Sequence, residues 1–221
     1  MTLSAHKRAL LLDLDGTLLD TAPDMAAALN TLLIEEQRAP LPFAQIRPVV
    51  SHGSTGLIRL AFGKPEEAER QRLIQRFLAL YRNALAVHSQ LFAGFTQLLQ
   101  QIRERELRWG IVTNKPAWLT DPLLAALGID QQADCVVSGD TVSERKPHPL
   151  PLLHAAQLLD LSPADCLYVG DAERDIQAAR AAGMSSLVAL WGYIAHTDQP
   201  HEWQADGMIE QPEQLQSWLF E

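Results

Sequence analysis

The feature that most constrains the fold is the run Ala9-Leu10-Leu11-Leu12-Asp13-Leu14-Asp15-Gly16-Thr17. Four apolar residues pass directly into two carboxylates and a Gly-Thr turn. An unbroken apolar run of this kind predicts a strand buried on both faces, which belongs in a parallel sheet. The abrupt change from apolar to acidic puts the strand's carboxyl end at a crevice, where open α/β sheets bind ligands. Asp13 and Asp15, two apart in extended backbone, leave on the same side. Carboxylates set together repel, and such pairs share a proton, a metal or a reaction. Taken alone, Asp13–Thr17 also reads as an acidic turn, because Asp-Gly is a common turn pair.

Downstream, Met25, Leu29, Leu32 and Leu33 mark one helical face, with Pro23 near its start and Pro40 and Pro42 ending it. Leu57, Ile58, Ala61 and Phe62 carry a second helix; Leu73, Phe77, Leu80 and Tyr81 carry a third. No strand is expected from about residue 18 to 86. From about residue 94, helix and strand alternate, with strands at Leu107–Thr113, Cys135–Ser138, Cys166–Gly170 and Ser186–Leu190. Such alternation specifies a parallel sheet covered on both faces. The expected fold class is therefore α/β, a parallel-sheet core made of residues 1–17 and 87–221, with a small α-helical domain, residues 18–86, inserted after the first strand. A chain of 221 residues is long enough for both. Trp191–Gln204 reads as the one long irregular loop.

Three further segments carry chemistry. Trp109-Gly110-Ile111-Val112-Thr113-Asn114-Lys115 is a strand ending in a hydroxyl, an amide and an ammonium, donors suited to phosphate oxygens. A plain strand-to-helix turn capped by Thr or Asn is the equal alternative. Lys146, in Arg145-Lys146-Pro147-His148-Pro149, is either a solvated lysine or one aimed inward by a segment that its prolines hold extended. Tyr168-Val169-Gly170-Asp171-Ala172-Glu173-Arg174-Asp175 repeats the logic of the first motif, with Asp175 one helical turn beyond Asp171. An acidic helix start accounts for Glu173 and Asp175, and less well for Asp171 at the strand tip. Hard oxygen ligands from separate strand ends suit Mg²⁺.

Asp13/Asp15, Thr113/Asn114, Lys146 and Asp171/Asp175 resemble, in order and position, the four motifs of the haloacid dehalogenase-like superfamily of aspartyl-phosphate phosphatases. The helical insert falls where that family places a cap domain, and the resemblance implies a Rossmann-like core. It further implies that Asp13 is the nucleophile and Asp15 the acid and base. Mg²⁺ would lie on Asp13, the Asp15 carbonyl and Asp171, with Asp175 supporting. Thr113, Asn114 and Lys146 would form the phosphate site, Lys146 also restraining Asp13. Ala172 departs from the small hydroxyl common after the metal Asp, which puts one supporting hydrogen bond in doubt. Asp15 argues against a true dehalogenase; a sugar phosphomutase stays open. A binding protein without chemistry would lack Asp13, Asp15 or Lys146, and all are present.

For the substrate, Val50-Ser51-His52-Gly53-Ser54-Thr55-Gly56 is a donor-rich turn before a helix. His52, Gly53 and Ser54 are its candidate specificity residues, and Arg59 is a candidate partner for a substrate carboxylate. An ordinary helix cap at Ser54 and a surface Arg59 are the bland alternatives. Asp20-Thr21-Ala22-Pro23 resembles phosphoglycolate phosphatases. Val87-His88-Ser89, Trp109–Pro116 and Trp191-Gly192-Tyr193-Ile194 resemble a group that hydrolyses N-acetylmuramic acid 6-phosphate in cell-wall recycling. The expected partner is thus a small-molecule phosphate monoester, 2-phosphoglycolate first, and the oligomeric state is open. A net charge of −9 argues against nucleic acid or an anionic membrane. Two cysteines, Cys135 and Cys166, are too few for a disulfide framework. The basic start Met1–Arg8 leads into an apolar run that Asp13 and Asp15 interrupt, so no signal peptide or membrane span is expected and the chain reads as cytoplasmic.

Overall fold

In the computed structural model, which describes residues 7–220, the first apolar run forms β1 (Ala9–Leu12), and all four of its residues are fully buried. Met1–His6 of the basic start, and Glu221 at the end of the expected core segment, lie outside the described residues. The chain continues through β2 (Leu19–Asp20), α1 (Ala22–Glu35), α2 (Phe43–Ile46), α3 (Gly53–Phe62) and α4 (Glu67–Asn83). It returns through β3 (Gln90–Leu91) and α5 (Phe95–Glu104) to β4 (Arg108–Val112), α6 (Ala117–Ala126) and β5 (Cys135–Val137). Then come α7 (Leu150–Leu158), β6 (Cys166–Gly170), α8 (Glu173–Ala182), β7 (Ser185–Ala189), β8 (Gly207–Ile209) and α9 (Leu215–Phe220). None of the described helices is long and apolar enough to cross a membrane.

The main sheet is parallel, in the order β5-β4-β1-β6-β7-β8. Numbered within the sheet alone, this is 3-2-1-4-5-6, the Rossmann order, whose direction reverses between β1 and β6. Alternation along the strands builds two cores. Leu10, Leu12, Trp109, Ile111, Leu167 and Val169 face one helical layer, while Leu11, Val112, Val137 and Tyr168 face the other. Each fully buried Leu contributes roughly 1.5–3 kcal/mol.

The helices between β2 and β3 have an apolar cluster of their own, built on Leu29, Leu32, Leu57, Leu73 and Phe77. Their stretch is not free of strand, as the sequence led one to expect. Leu19–Asp20 pairs antiparallel with Gln90–Leu91, so the two crossings between sheet and helices are zipped into one ribbon. A strand of two residues has no readable period. The same brevity hides β8. Asp24, buried at the start of α1, ties the return crossing down: its carboxylate accepts from the N–H groups of Val87, His88 and Ser89 and from Ser89 Oγ at 2.6–3.1 Å.

Candidate active site

The tips of β1 and β6, the strands that flank the switch point, deliver Asp13 and Asp171. Asp13 is still in the ladder, its N–H donating to Val169 O at 2.9 Å, so its side chain is fixed by the sheet. The turn that follows depends on Gly16, at φ +86°, where a Cβ would overlap the Asp171 carboxylate. The glycine both permits the turn and lets the two strand tips approach.

Carboxylate oxygens of Asp13, Asp171 and Asp175 lie within 4.8 Å of one another, all buried. Lys146 is buried with them; its Nζ pairs with Asp13 Oδ1 at 2.9 Å and Asp175 Oδ1 at 2.8 Å, and donates to Val112 O at 2.8 Å and Tyr168 Oη at 2.7 Å. Lys146 is therefore not the solvated lysine of the bland reading: it is aimed inward and restrains Asp13. The other oxygen of Asp175 accepts from the Ala172 N–H at 3.0 Å.

Asp171 differs. Its Oδ2 accepts from Ser51 Oγ at 2.7 Å and from the Tyr193 N–H at 2.8 Å, but its buried Oδ1 has no partner. Burial, with Asp13 and Asp175 nearby, pushes the Asp171 carboxyl up to about 7, against the two hydrogen bonds. Burial also raises Asp13, more than Lys146 lowers it. A buried carboxylate oxygen left unpaired beside other carboxylates is costly, and a divalent cation is the group that satisfies it. The donor set is hard oxygen only and fits such an ion.

Asp15 faces the cleft. Thr21 Oγ1 donates to its Oδ1 at 2.6 Å, and Lys115 Nζ donates to both oxygens at 2.8 and 3.1 Å and to Tyr81 Oη at 3.0 Å. Burial opposes the Lys115 charge, but Asp15 and Tyr81 outweigh it and hold the ammonium above its ordinary range. Burial pushes the Tyr81 hydroxyl up to about 12, so it stays protonated. Thr113 lines the cleft, and its Oγ1 accepts from the Lys115 N–H at 3.1 Å. The Asn114 side chain does not reach into the cleft as a donor. Its amide brackets the Lys146 backbone, donating to Lys146 O at 2.9 Å and accepting from Lys146 N–H at 3.0 Å.

The cleft, of about 640 Å³, runs between this floor and the inserted helices. His52, Gly53 and Ser54 line it. Arg59 does not: it lines a separate pocket of about 180 Å³ with Lys64 and Arg70, because it follows Ile58, which packs inward, onto the outer side of α3. Among the described residues, the Lys and Arg side chains on the cleft wall are Lys115, Arg145 and Arg174, all from the sheet side. Sequence reasoning singled out the right turn at Val50–Gly56 but not Ser51 within it, and quoted Tyr193 and Arg174 without assigning them a part. The partners of Ser51 and Tyr193 lie far away in sequence.

Buried carboxylates converging at the switch point of a Rossmann-ordered sheet, under a helical insert, form a cluster that fits a metal ion. The haloacid dehalogenase-like hydrolase family model matches residues 10–189. The chain is similar to a phosphoglycolate phosphatase of Xanthomonas campestris pv. campestris, 50% identical over 208 residues and 94% of each chain. It is also similar to an N-acetylmuramic acid 6-phosphate phosphatase of Pseudomonas putida, 40% identical over 209 residues and again 94% of each. The crystal structure of a predicted phosphoglycolate phosphatase from Haemophilus somnus superposes with a TM-score of 0.82 at 26% identity, covering 92% of this chain and 94% of that one. The chain belongs to the haloacid dehalogenase-like hydrolase family.

Proposed function

We propose that the protein is a Mg²⁺-dependent phosphoric monoester hydrolase that works through an aspartyl-phosphate on a small phosphorylated acid, 2-phosphoglycolate first. The observation that carries this reading is the pair of strand tips: Asp13 clamped by Lys146, and Asp171 with one buried oxygen unpaired, 120 residues before which Ser51 sits in the covering helices. The 50% identical relative named phosphoglycolate phosphatase supports the substrate.

Lys146 and the Leu14 N–H both bond Asp13 Oδ1, which leaves Oδ2 for attack on phosphorus. The P–O bond to the leaving alcohol breaks as the Asp13–phosphorus bond forms, and Asp15 gives the alkoxide its proton. Asp15 then takes a proton from a water, whose oxygen attacks phosphorus and returns Asp13 as a carboxylate with inorganic phosphate released. Lys115 and Thr21 hold Asp15 in place for both transfers. A divalent cation held by Asp13 and Asp171, with the Asp15 carbonyl and with Asp175 supporting, would neutralise charge on the transferring phosphoryl group. Thr113 and backbone N–H groups of its loop receive the phosphate, with Asn114 holding that loop. Residues 18–86 act as a cap over residues 7–17 and 87–220, and the compartment is the cytoplasm.

A second reading, N-acetylmuramic acid 6-phosphate as substrate, is favoured by the cleft. About 640 Å³ sits in the range of pockets for drug-sized ligands, far above a two-carbon acid. Trp118, 39% exposed on the cleft wall, offers a face on which a sugar ring stacks. Phosphate release with Mg²⁺ from both esters and from hexose phosphates, compared by kcat/KM, decides between them. Failure to release phosphate from any monoester, or full activity in Asp13→Asn, refutes the chemistry.

A further inference from the structure

Besides Tyr81 on Lys115 and Thr21 on Asp15, the insert meets the floor of the site at the turn Arg47–His52, between α2 and α3. Ser51 from that turn donates to Asp171 Oδ2 at 2.7 Å, the same oxygen that accepts from the Tyr193 N–H at 2.8 Å. Arg47 fixes the same turn to the loop that carries Tyr193. Its guanidinium donates to Trp191 O at 2.8 Å and Gly192 O at 3.0 Å, and lies 5.0 Å from the centre of the Tyr193 ring. Tyr193 in turn reaches the crossing: Thr21 N–H and Ala22 N–H donate to its Oη at 2.7 and 2.9 Å, and it donates to Asp20 Oδ1 at 2.8 Å. The loop Trp191–Tyr193 is thus gripped from the helices, from the crossing and by Asp171.

The geometry of Asp171 makes this grip consequential. A carboxylate bonded by one donor can rotate about its terminal torsion, which is broad. Two donors converging on Oδ2 fix that rotation and leave the buried Oδ1 as the oxygen free for a cation. One donor is the sheet side's own backbone; the other comes only when the Arg47–His52 turn is seated.

We infer that Ser51 is a positioning residue for the Asp171 carboxylate, so that seating the Arg47–His52 turn and binding a divalent cation favour one another. This rests on the reading that Asp171 holds such a cation. By linkage the coupling is reciprocal: whatever seating the turn adds to cation affinity, the cation adds to seating. Outer partners of metal ligands change affinity about 10–100-fold when removed.

The test is the affinity for Mn²⁺ alone, measured calorimetrically and by electron paramagnetic resonance, in wild type, Ser51→Ala, Ser51→Thr and Arg47→Ala. The second readout is hydrogen exchange at the ribbon Leu19–Asp20/Gln90–Leu91 with and without Mn²⁺. Ser51→Ala should weaken Mn²⁺ about tenfold, and Ser51→Thr should restore most of it. Arg47→Ala, which touches no carboxylate, should also weaken Mn²⁺, by about threefold or more. Mn²⁺ should slow exchange at the ribbon in wild type and much less in Ser51→Ala. Mn²⁺ affinity within twofold of wild type in Ser51→Ala overturns the inference, as does an unchanged affinity in Arg47→Ala or a ribbon indifferent to Mn²⁺. Wild type that binds no Mn²⁺ overturns the metal reading itself, and the inference with it.

Discussion

Replacing Asp171 by Asn should stabilise the metal-free protein at neutral and alkaline pH while destroying its response to metal. The Asp171 carboxyl stands at about 7 in the fold, against 3.8 for a free side chain. Between those values the folded chain keeps a proton that the unfolded chain has released, so stability falls as pH rises through this window. Below pH 3.8 the effect is absent, and above about 7 the full penalty applies. At about 1.36 kcal/mol for each pH unit, the gap bounds the penalty at ~4 kcal/mol. Asn keeps an oxygen for Ser51 and the Tyr193 N–H and puts its uncharged amide nitrogen where the unpaired oxygen was. In a chain of 221 residues each kcal/mol moves Tm by about 2–4 °C, so at pH 8 in EDTA the variant should melt up to roughly 8–16 °C above wild type. At pH 4 the two should converge, because other carboxylates titrate alike in both. Added Mg²⁺ should raise wild-type Tm at pH 8 and leave the variant where it was. The assay is thermal unfolding by circular dichroism from pH 4 to 8, with EDTA or Mg²⁺. Parallel pH profiles in EDTA would refute the claim that burial of an unpaired Asp171 opposes folding.

Other outcomes follow from the same contacts. Lys115→Met should lower kcat by about 10–100-fold, because Asp15 loses the ammonium that orients it, and Tyr81→Phe should do less; steady-state kinetics at saturating Mg²⁺ checks both. Arg174 is half-buried on the cleft wall and has no ion pair or hydrogen bond among the described residues, which leaves its guanidinium to meet a phosphate. Arg174→Gln should therefore raise the inhibition constant of inorganic phosphate about tenfold, as the loss of a charge-assisted bond does. Gly16→Ala should cost about 2 kcal/mol or more and abolish activity, since the new Cβ needs both an unfavourable φ and the space of the Asp171 carboxylate; denaturant unfolding and phosphate release measure the two losses.

How far the sequence could be read follows from how local each signal is. Leu10–Asp13 announced a buried strand and its active end because hydropathy changes sign within one step, and Cys166–Asp171 did the same. The parallel sheet followed from alternation, since such a sheet needs helices as crossovers, while its Rossmann-like character was what the family resemblance implied. What escaped was what two distant segments make together. Leu19–Asp20 is a strand only because Gln90–Leu91 lies beside it. That Lys146 points inward could be read from its prolines, but not that Tyr168, Val112 and Asp175 surround it beside Asp13. Arg59 looked available to a carboxylate because its helix begins at the site, but one step of 100° past Ile58 turns it away. Ser51 was one hydroxyl among several in its turn, and only the fold selects it, by bringing the turn down on Asp171. The motifs fix which atoms react. The contacts that orient them are set by tertiary packing, and they are where a relative can change metal affinity or substrate while keeping every motif intact.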